Sequence, residues 1–251
     1  MINNSIIGQF FNPKTWDYVI ASSAAAAGQT FLMSENFDEV GANGWAGAGT
    51  INYDSTDWYV SPSQSCQLTR VSSSTYTIKN TTGSASEWWL FSAIKWTGGA
   101  VPDSFIEVKN SGGTTFAILN IRATGELRAY SDISGSVNSG NTAATMSAGN
   151  TYFVWWHQNS NNGTFDCEFQ TTPTKIGSGS NYKSGTGGDT NNVISQVKLC
   201  TLNDNTTMSF DNVLVSNTSI GSVTIPVNYL VNETFEGVGY SDPTFNIVLV
   251  I

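Results

Sequence analysis

Phe31–Trp45 reads FLMSENFDEVGANGW, and its core occurs a second time near the end of the chain. Leu230–Gly239, LVNETFEGVG, repeats the glutamate, phenylalanine, valine and glycine of the first copy, each 198 positions later. A fixed offset between similar stretches is typical of a repeated structural unit. We therefore predict an N-terminal arm over residues 1–30, one domain over 31–220, and an extension over 221–251 that resembles the first strand of a second repeat.

The composition of the 251 residues favours a folded protein built from strands. Aromatic residues make up 12%, which allows a sizeable core, and charged residues also make up only 12%. The usual charged share is about a quarter, and Ser, Thr, Asn and Gly take its place here. This mixture suits strands and turns better than helices.

Charge and hydropathy argue against several kinds of partner. The net charge of −9 disfavours nucleic acid, because phosphate contacts require clustered lysine and arginine. No apolar run is long enough for membrane insertion, and the N-terminus lacks the basic region of a signal peptide. The three cysteines show no metal-type spacing, so we expect buried free thiols, although Cys167 and Cys200 could be neighbours in a sheet.

The middle of the chain carries a succession of strand signals. Glu87–Trp96, EWWLFSAIKW, is apolar on both faces, which predicts a central strand that is covered on each side or carries a ligand surface on one. Gly-containing turns divide residues 104–131 into three consecutive hairpin strands, and a turn at 159–163 predicts another hairpin. Residues 177–192 are predicted to form a long loop. Turn signals about every eight to twelve residues, without a credible helix, indicate an all-β, antiparallel sandwich of two sheets.

Four short motifs follow one another in a fixed order. They are Glu35–Asp38 followed by Gly44 and Trp45, the hairpin Ile121–Tyr130, the step Ala148–Trp155, and the closing stretch Phe210–Val215. In this order they resemble the concanavalin A-like jelly rolls, in particular laminin-G-like domains and carbohydrate-binding modules. That resemblance implies a jelly-roll sandwich, and domains of this type occur in secreted polysaccharide-active proteins and in bacteriophage virion and tail proteins.

The resemblance also implies a structural calcium ion held by Glu35, Asp38 and Asp211. In related modules the opening acidic motif and the closing aspartate lie on neighbouring strands and hold such an ion. Calcium takes about six to eight oxygen ligands, so these three carboxyl groups would form part of its site. The alternative is that Asp38 and Asp211 accept turn hydrogen bonds at strand ends.

Catalysis is not expected from this sequence. Retaining glycosidases of the concanavalin A-like type carry an E-x-D-x-x-E strand, which sets two carboxyl groups about 5 Å apart. Lyases of this type carry a Gln-x-His strand. Neither pattern occurs in this sequence. His157 is the sole histidine, and the sequence identifies no partner for it in metal or triad chemistry. The G-x-S-x-G elbow of serine hydrolases is also absent.

Carbohydrate binding without catalysis is easier to support. The candidate contact residues are Trp89, Trp155, Trp156, His157 and Tyr182. Aromatic rings on an uncharged sheet can stack on pyranose rings, but large aromatics are more often core, because burying one removes about 150–250 Å² from water. Since side chains alternate along a strand, one ring of each adjacent tryptophan pair should face inward.

Both ends of the chain carry apolar segments that we predict to act in assembly. The residues concerned are Phe10, Phe11 and Trp16 in the arm, and Phe245, Ile247 and Leu249 in the extension. An exposed run such as FNIVLVI would invite edge pairing, so it should cover its own sandwich or add a strand to a neighbouring chain. A flexible leader at the N-terminus and a truncated gene at the C-terminus are the alternatives.

These observations favour a non-enzymatic structural protein at a virion surface, such as a decoration, fibre or tail component. It would form homo-oligomers or contact other virion proteins through its terminal segments, and a glycan is an expected further ligand. The alternative is an extracellular carbohydrate-binding module of a secreted or cell-surface protein. A polysaccharide hydrolase or lyase comes last. Nucleic acid and membrane insertion are not expected.

Overall fold

The computed structural model describes residues 31–37, 44–54, 58–60, 64–71, 74–98, 101–132, 134–203 and 205–223. In these ranges all regular elements are β-strands. Within these ranges there is no helix that is long and apolar enough to cross a membrane.

Fourteen strands occur in the described part of the chain. In chain order they are β1 (Phe31–Glu35), β2 (Ala46–Ala48), β3 (Thr50–Asp54), β4 (Ser65–Arg70), β5 (Thr75–Ala85), β6 (Glu87–Gly98), β7 (Asp103–Lys109), β8 (Thr115–Ile121), β9 (Leu127–Tyr130), β10 (Tyr152–Asn159), β11 (Thr164–Gln170), β12 (Tyr182–Gly185), β13 (Ile194–Thr201) and β14 (Thr206–Ser216).

The strands form two sheets. Sheet A has eight strands in the order β12-β11-β10-β6-β14-β4-β3, with β1 also paired to β14. Sheet B has six strands in the order β2-β5-β13-β7-β8-β9. Every pairing between the described strands is antiparallel. The prediction of an all-β, two-sheet antiparallel jelly roll is therefore confirmed.

The main core lies between the two sheets and is built from alternate residues of each strand. In β6, the even-numbered Trp88, Leu90 and Ile94 are buried in the cluster that both sheets share. The odd-numbered Phe91 and Ala93 belong to a second apolar cluster on the opposite, outer face of sheet A. This alternation follows from the period of two along a strand. Strand β6 lies between β10 and β14, which confirms the prediction of a central strand that is apolar on both faces.

The chain that follows β14 covers part of this outer face. Ile220 and Val223 are buried in the outer cluster together with Trp155. The Trp155 Nε1 donates to the Gly221 carbonyl oxygen at 3.0 Å, and the Val223 N–H donates to the Pro173 carbonyl oxygen at 2.8 Å. Residues 217–223 are thus held on the sandwich by both packing and hydrogen bonds.

Several predicted features lie outside the described residues. These are the N-terminal arm over 1–30 and the extension beyond residue 223. The segment boundaries therefore stay predictions, and so do the assembly residues Phe10, Phe11, Trp16, Phe245, Ile247 and Leu249.

Strand β14 changes its partner along its length. Residues 206–210 pair with β4, residues 213–216 pair with β1, and β6 runs along the other side. The change falls at Asp211 and Asn212, where Asn212 has a φ of 50°. Asparagine tolerates this left-handed conformation better than most residues. The buried Asp211 carboxylate accepts hydrogen bonds from the backbone N–H groups of Val60 and Asn212, both at 2.7 Å.

Two local expectations from the sequence need correction. Residues 182–185, inside the predicted loop over 177–192, form β12 and pair with β11. Backbone pairing with β11 holds this short edge strand, and it has few apolar side chains. Its sequence therefore lacks the alternating apolar pattern that predicts a strand. Cys167 and Cys200 are not neighbours in a sheet, because they lie on β11 of sheet A and β13 of sheet B.

The three thiols should be inert in the folded protein. Cys66, Cys167 and Cys200 are buried and free. Burial raises the pKa of all three, to about 12 for Cys167. The thiolate is the reactive species, and a raised pKa leaves less of it at any pH below that value.

At pH 8 we expect no reaction with a thiol reagent in buffer and reaction of all three thiols in denaturant, read by absorbance. Rapid labelling of the folded protein would contradict this burial.

Candidate ligand-binding site

A row of polar and aromatic side chains crosses the outer face of sheet A. His157 on β10 lies opposite Trp89 on β6 and opposite Asp166 on β11. Asp166 in turn lies opposite Ser184 on β12. Directly paired residues of neighbouring strands point to the same face of a sheet. These four side chains therefore stand side by side across four strands.

His157 is held from three sides. Its Nδ1 lies 2.8 Å from the Asp166 Oδ2, and its Nε2 lies 3.2 Å from the Glu87 Oε1. Its ring stacks on Trp89, with the ring centroids 4.5 Å apart and the planes 9° from parallel. Imidazole can donate from both nitrogens only when it is protonated. Contact with two carboxylates fixes the orientation of the ring between β6 and β11.

We call Glu87, Trp89, His157, Asp166, Tyr182 and Ser184 the His157 site. The Glu87 and Asp166 side chains are 37% and 19% exposed, so solvent reaches both carboxylates. Trp89, His157 and Tyr182 are half-buried. The site is thus an open surface of fixed polar groups beside aromatic rings, and it is not an enclosed cavity.

Tyr182 adds a neutral hydroxyl to the site. It lies opposite Glu168 on β11, two residues along β12 from Ser184. Burial raises the pKa of Tyr182, and the nearby Asp166 carboxylate raises it further, whereas a hydrogen bond from Ser184 works in the other direction. The phenol therefore stays protonated in neutral solution, where it can both donate and accept a hydrogen bond.

The buried Glu168 carboxylate fixes the loop next to Tyr182. Its Oε1 accepts hydrogen bonds from the Gln170 Nε2 and the Ile176 N–H, and its Oε2 accepts one from the Gly177 N–H, all at 2.7 Å. A buried charge is tolerated when hydrogen bonds satisfy it. Glu168 therefore acts as a positioning residue that holds the loop after β11 over the outer face.

The five predicted carbohydrate contacts separate into two groups. Trp89, His157 and Tyr182 come together on the partly exposed outer face of sheet A. Trp155 points to the same face but is only 2% exposed. Trp156 is 1% exposed and lies in the core between the sheets. Neither of these two rings offers a face to a ligand in this structure.

The sequence reasoning missed the two carboxylates of the site. Both ring nitrogens of His157 contact carboxylate oxygens, which the sequence did not indicate. That His157 takes no part in metal or triad chemistry stays a prediction. Asp166 lies in the same predicted hairpin, but a turn at 159–163 would place residue 165 opposite residue 157. The observed loop at 160–163, with Asn159 paired to Thr164, places Asp166 there instead. No local signal pointed to Glu87, which comes from a strand 70 residues away in the sequence.

The residues predicted to hold calcium are satisfied by protein donors wherever the structure describes them. The Glu35 Oε2 accepts from the Lys79 Nζ at 2.7 Å and from the Trp45 Nε1 at 3.1 Å. Lys79 thus supplies the positive charge that a cation would bring, and both Asp211 oxygens accept backbone N–H groups. Among the described residues no three His, Cys, Asp or Glu side chains are grouped to hold a metal ion. Asp38 lies outside the described residues, and calcium remains a prediction.

Comparisons with known proteins support the fold through solved structures of low sequence identity. No protein-family model and no curated protein sequence matches the chain. Solved structures do match, among them a sialidase with a TM-score of 0.55 and 11% identity over 74% of this chain and 18% of that one. The binding domain of botulinum neurotoxin DC in complex with SialylT matches with a TM-score of 0.52 and 10% identity, over 76% and 49%.

A third match extends over nearly the whole chain of the other protein. The exoplasmic/lumenal domain of VIP36, in its Ca2+/Man3GlcNAc-bound form, matches with a TM-score of 0.50 and 11% identity, over 76% of this chain and 91% of that one. By contrast, this chain spans under a fifth of the sialidase and about half of the neurotoxin domain. At these identities the similarity shows a shared fold, that of the lectin-like jelly-roll sandwiches.

Substitution of Asp211 separates the two roles considered for its carboxylate. Asp211→Ala leaves the N–H groups of Val60 and Asn212 without this acceptor, so we expect a loss of about 3 kcal/mol in the free energy of unfolding. Urea denaturation should give the same loss in calcium and in chelator if hydrogen bonding is the role. A loss confined to calcium-containing buffer would instead indicate a metal ligand. Asp132→Ala, which removes a loop carboxylate bonded to serine hydroxyls, is the control and should cost below about 1 kcal/mol.

Proposed function

We propose that the chain is a non-catalytic carbohydrate-binding protein displayed as a structural component of a virion surface. The observation that carries the binding part is the His157 site. Glu87 and Asp166 present carboxylate oxygens beside the indole of Trp89 and the phenol of Tyr182, on one open face of a sheet. Sugars combine apolar ring faces with hydroxyl groups, and such a surface matches both.

The two carboxylates are prepared to accept hydrogen bonds from sugar hydroxyls. Each uses one oxygen to contact the imidazole of His157. The second oxygen of each carboxylate has no hydrogen-bond partner within the part of the chain that the structure describes. Because His157 already fixes both side chains, little rotational freedom is lost when a ligand binds.

The same geometry disfavours hydrolysis. A glycosidase needs a sugar bond, and in inverting enzymes a water molecule, between its two carboxyl groups. Here the imidazole ring of His157 fills the space between Glu87 and Asp166. Both of its ring nitrogens face carboxylate oxygens, so neither nitrogen is directed at a substrate or at a water molecule as a general base must be. A binding role fits these contacts better than catalysis.

Display at a virion surface is the finer part of the proposal, and it is derived from the sequence. The apolar terminal segments favour assembly with copies of itself or with other virion proteins, and the sequence resembles a type of jelly roll that occurs in phage virion and tail proteins. The alternative is a carbohydrate-binding module of a secreted protein. That alternative is supported by the neurotoxin domain and the VIP36 domain, whose structures were determined with SialylT and with Man3GlcNAc.

Trp89→Ala is the direct test of carbohydrate binding. A glycan array on the full chain should identify a ligand, and titration calorimetry should show its affinity reduced by at least about tenfold in the variant. The reason is that Trp89 supplies both the apolar surface and the support for His157. Tyr59→Ala, which removes a 43% exposed aromatic outside the site, is the matched control and should bind normally. If the array identified no glycan ligand, the proposal of carbohydrate binding would be wrong.

The assembly part has a separate test. Light scattering after size-exclusion chromatography should show multimers of the full chain. Deleting residues 1–30 and 240–251 should reduce it to a monomer while the glycan affinity is unchanged, because the His157 site lies within the remaining sandwich. Full-length protein that is monomeric at all concentrations would argue for the secreted module instead.

A further inference from the structure

The β8–β9 hairpin carries two of the three arginines of the chain, Arg122 and Arg128. The Arg122 Nη1 donates to the Tyr130 Oη at 3.1 Å, and the Arg128 Nη1 donates to the same oxygen at 3.3 Å. Arg128 also lies over the Tyr130 ring, with its Cζ 5.7 Å from the ring centroid. Two guanidinium groups therefore converge on one neutral oxygen at the β9 edge of sheet B.

The hairpin that presents these arginines is held rigidly. Gly125 in its turn has a φ of 96°, and a Cβ there would lie 2.3 Å from the Met146 carbonyl oxygen. The Met146 N–H donates to the Gly125 carbonyl oxygen at 2.8 Å. Asn141, in the segment that runs beside β9, accepts a hydrogen bond from the Arg128 Nε at 2.7 Å. The arginine side chains thus start from a fixed backbone, and one of them is oriented further by an amide.

The positive charge of this pair is not cancelled by an ion pair. Lys79 and Lys198 pair with the buried Glu35 and Glu107, but neither arginine forms an ion pair with any described carboxylate. Glu126 is the acidic group that interacts with both arginines. Its carboxylate bonds to the Thr124 hydroxyl, which lowers the pKa of Glu126 most, and the two arginines lower it further. One glutamate facing two guanidinium groups leaves an excess positive charge.

Most donors of the pair are still available. A guanidinium group has five N–H donors. Within the described residues, Arg122 uses one on Tyr130, and Arg128 uses one on Tyr130 and one on Asn141. The planar forks of arginine match the two oxygens of a carboxylate better than a lysine can. The free donors and the excess charge therefore point to a carboxylate ligand.

We propose that Arg122 and Arg128 form a subsite that binds the carboxylate of an acidic sugar, with the Tyr130 ring beside it. That the ligand is a sugar rests on the proposed function, whereas anion binding by the pair does not. The subsite lies on sheet B, so it is separate from the His157 site on sheet A. A chain with a net charge of −9 repels anions in general, so binding here requires this local arrangement.

Glucuronate and glucose, which differ in a carboxylate, are the probes. In the full chain labelled at arginine Nε, glucuronate should shift the NMR signals of Arg122 and Arg128 but not that of Arg70. Its affinity should be at least about tenfold higher than that of glucose. The Arg122→Gln/Arg128→Gln double variant should lose this preference, and Arg128→Lys should weaken it because the charge remains while the fork is lost.

Lys109→Gln is the control, because it removes one positive charge from β7 of the same sheet and should keep the preference. Thermal melting of each variant checks that it is folded. Equal affinity for the two sugars, or a preference that survives the double variant, would overturn the subsite. If no neutral glycan binds the chain but glucuronate still shifts the two arginine signals, the proposed function fails while the anion subsite stands.

Discussion

The pairing of β6 with β10 is the constraint on which both the core and the site depend. In this register His157 lies opposite Trp89 and Trp156 lies opposite Leu90. The period of two then sends Trp156 into the core, where its ring meets Trp88 edge-on at 4.9 Å, and sends His157 to the outer surface. A shift of one residue would exchange the two faces of β10 and place the polar His157 ring between the sheets.

Locally encoded features of the fold could be predicted, whereas long-range contacts could not. The alternating apolar pattern and the turn at 159–163 were sufficient for β6, β10 and β11. The pairing of Asp166 with His157 follows from the observed loop at 160–163, which is one residue shorter than the predicted turn, because a hairpin register depends on its loop. The contact of Glu87 with His157 joins strands 70 residues apart, and no pattern within either strand encodes it. The cover over Trp155 likewise depends on where the chain runs after β14.

Scarce positive charge explains how the acidic side chains are arranged. The chain has 19 acidic residues and 10 lysines and arginines, and burying an unpaired carboxylate is costly. Glu35 and Glu107 each take a lysine, while Glu168 is satisfied by hydrogen-bond donors of a loop and a neighbouring glutamine. Among the described residues Arg122 and Arg128 form no ion pair, and the contact that they share is the Tyr130 hydroxyl.

The segment beside β9, over residues 139–142, affects how a second copy of the chain can contact sheet B. The Ser139 N–H donates to the Ala129 carbonyl oxygen, and the Ser139 hydroxyl accepts from the Ala129 N–H. In the same way, the Thr142 N–H donates to the Leu127 carbonyl oxygen, and the Thr142 hydroxyl accepts from the Leu127 N–H. The outer rim of sheet B at Leu127 and Ala129 is therefore already saturated. A second molecule that lies against these two residues finds no vacant backbone groups there with which to extend the sheet.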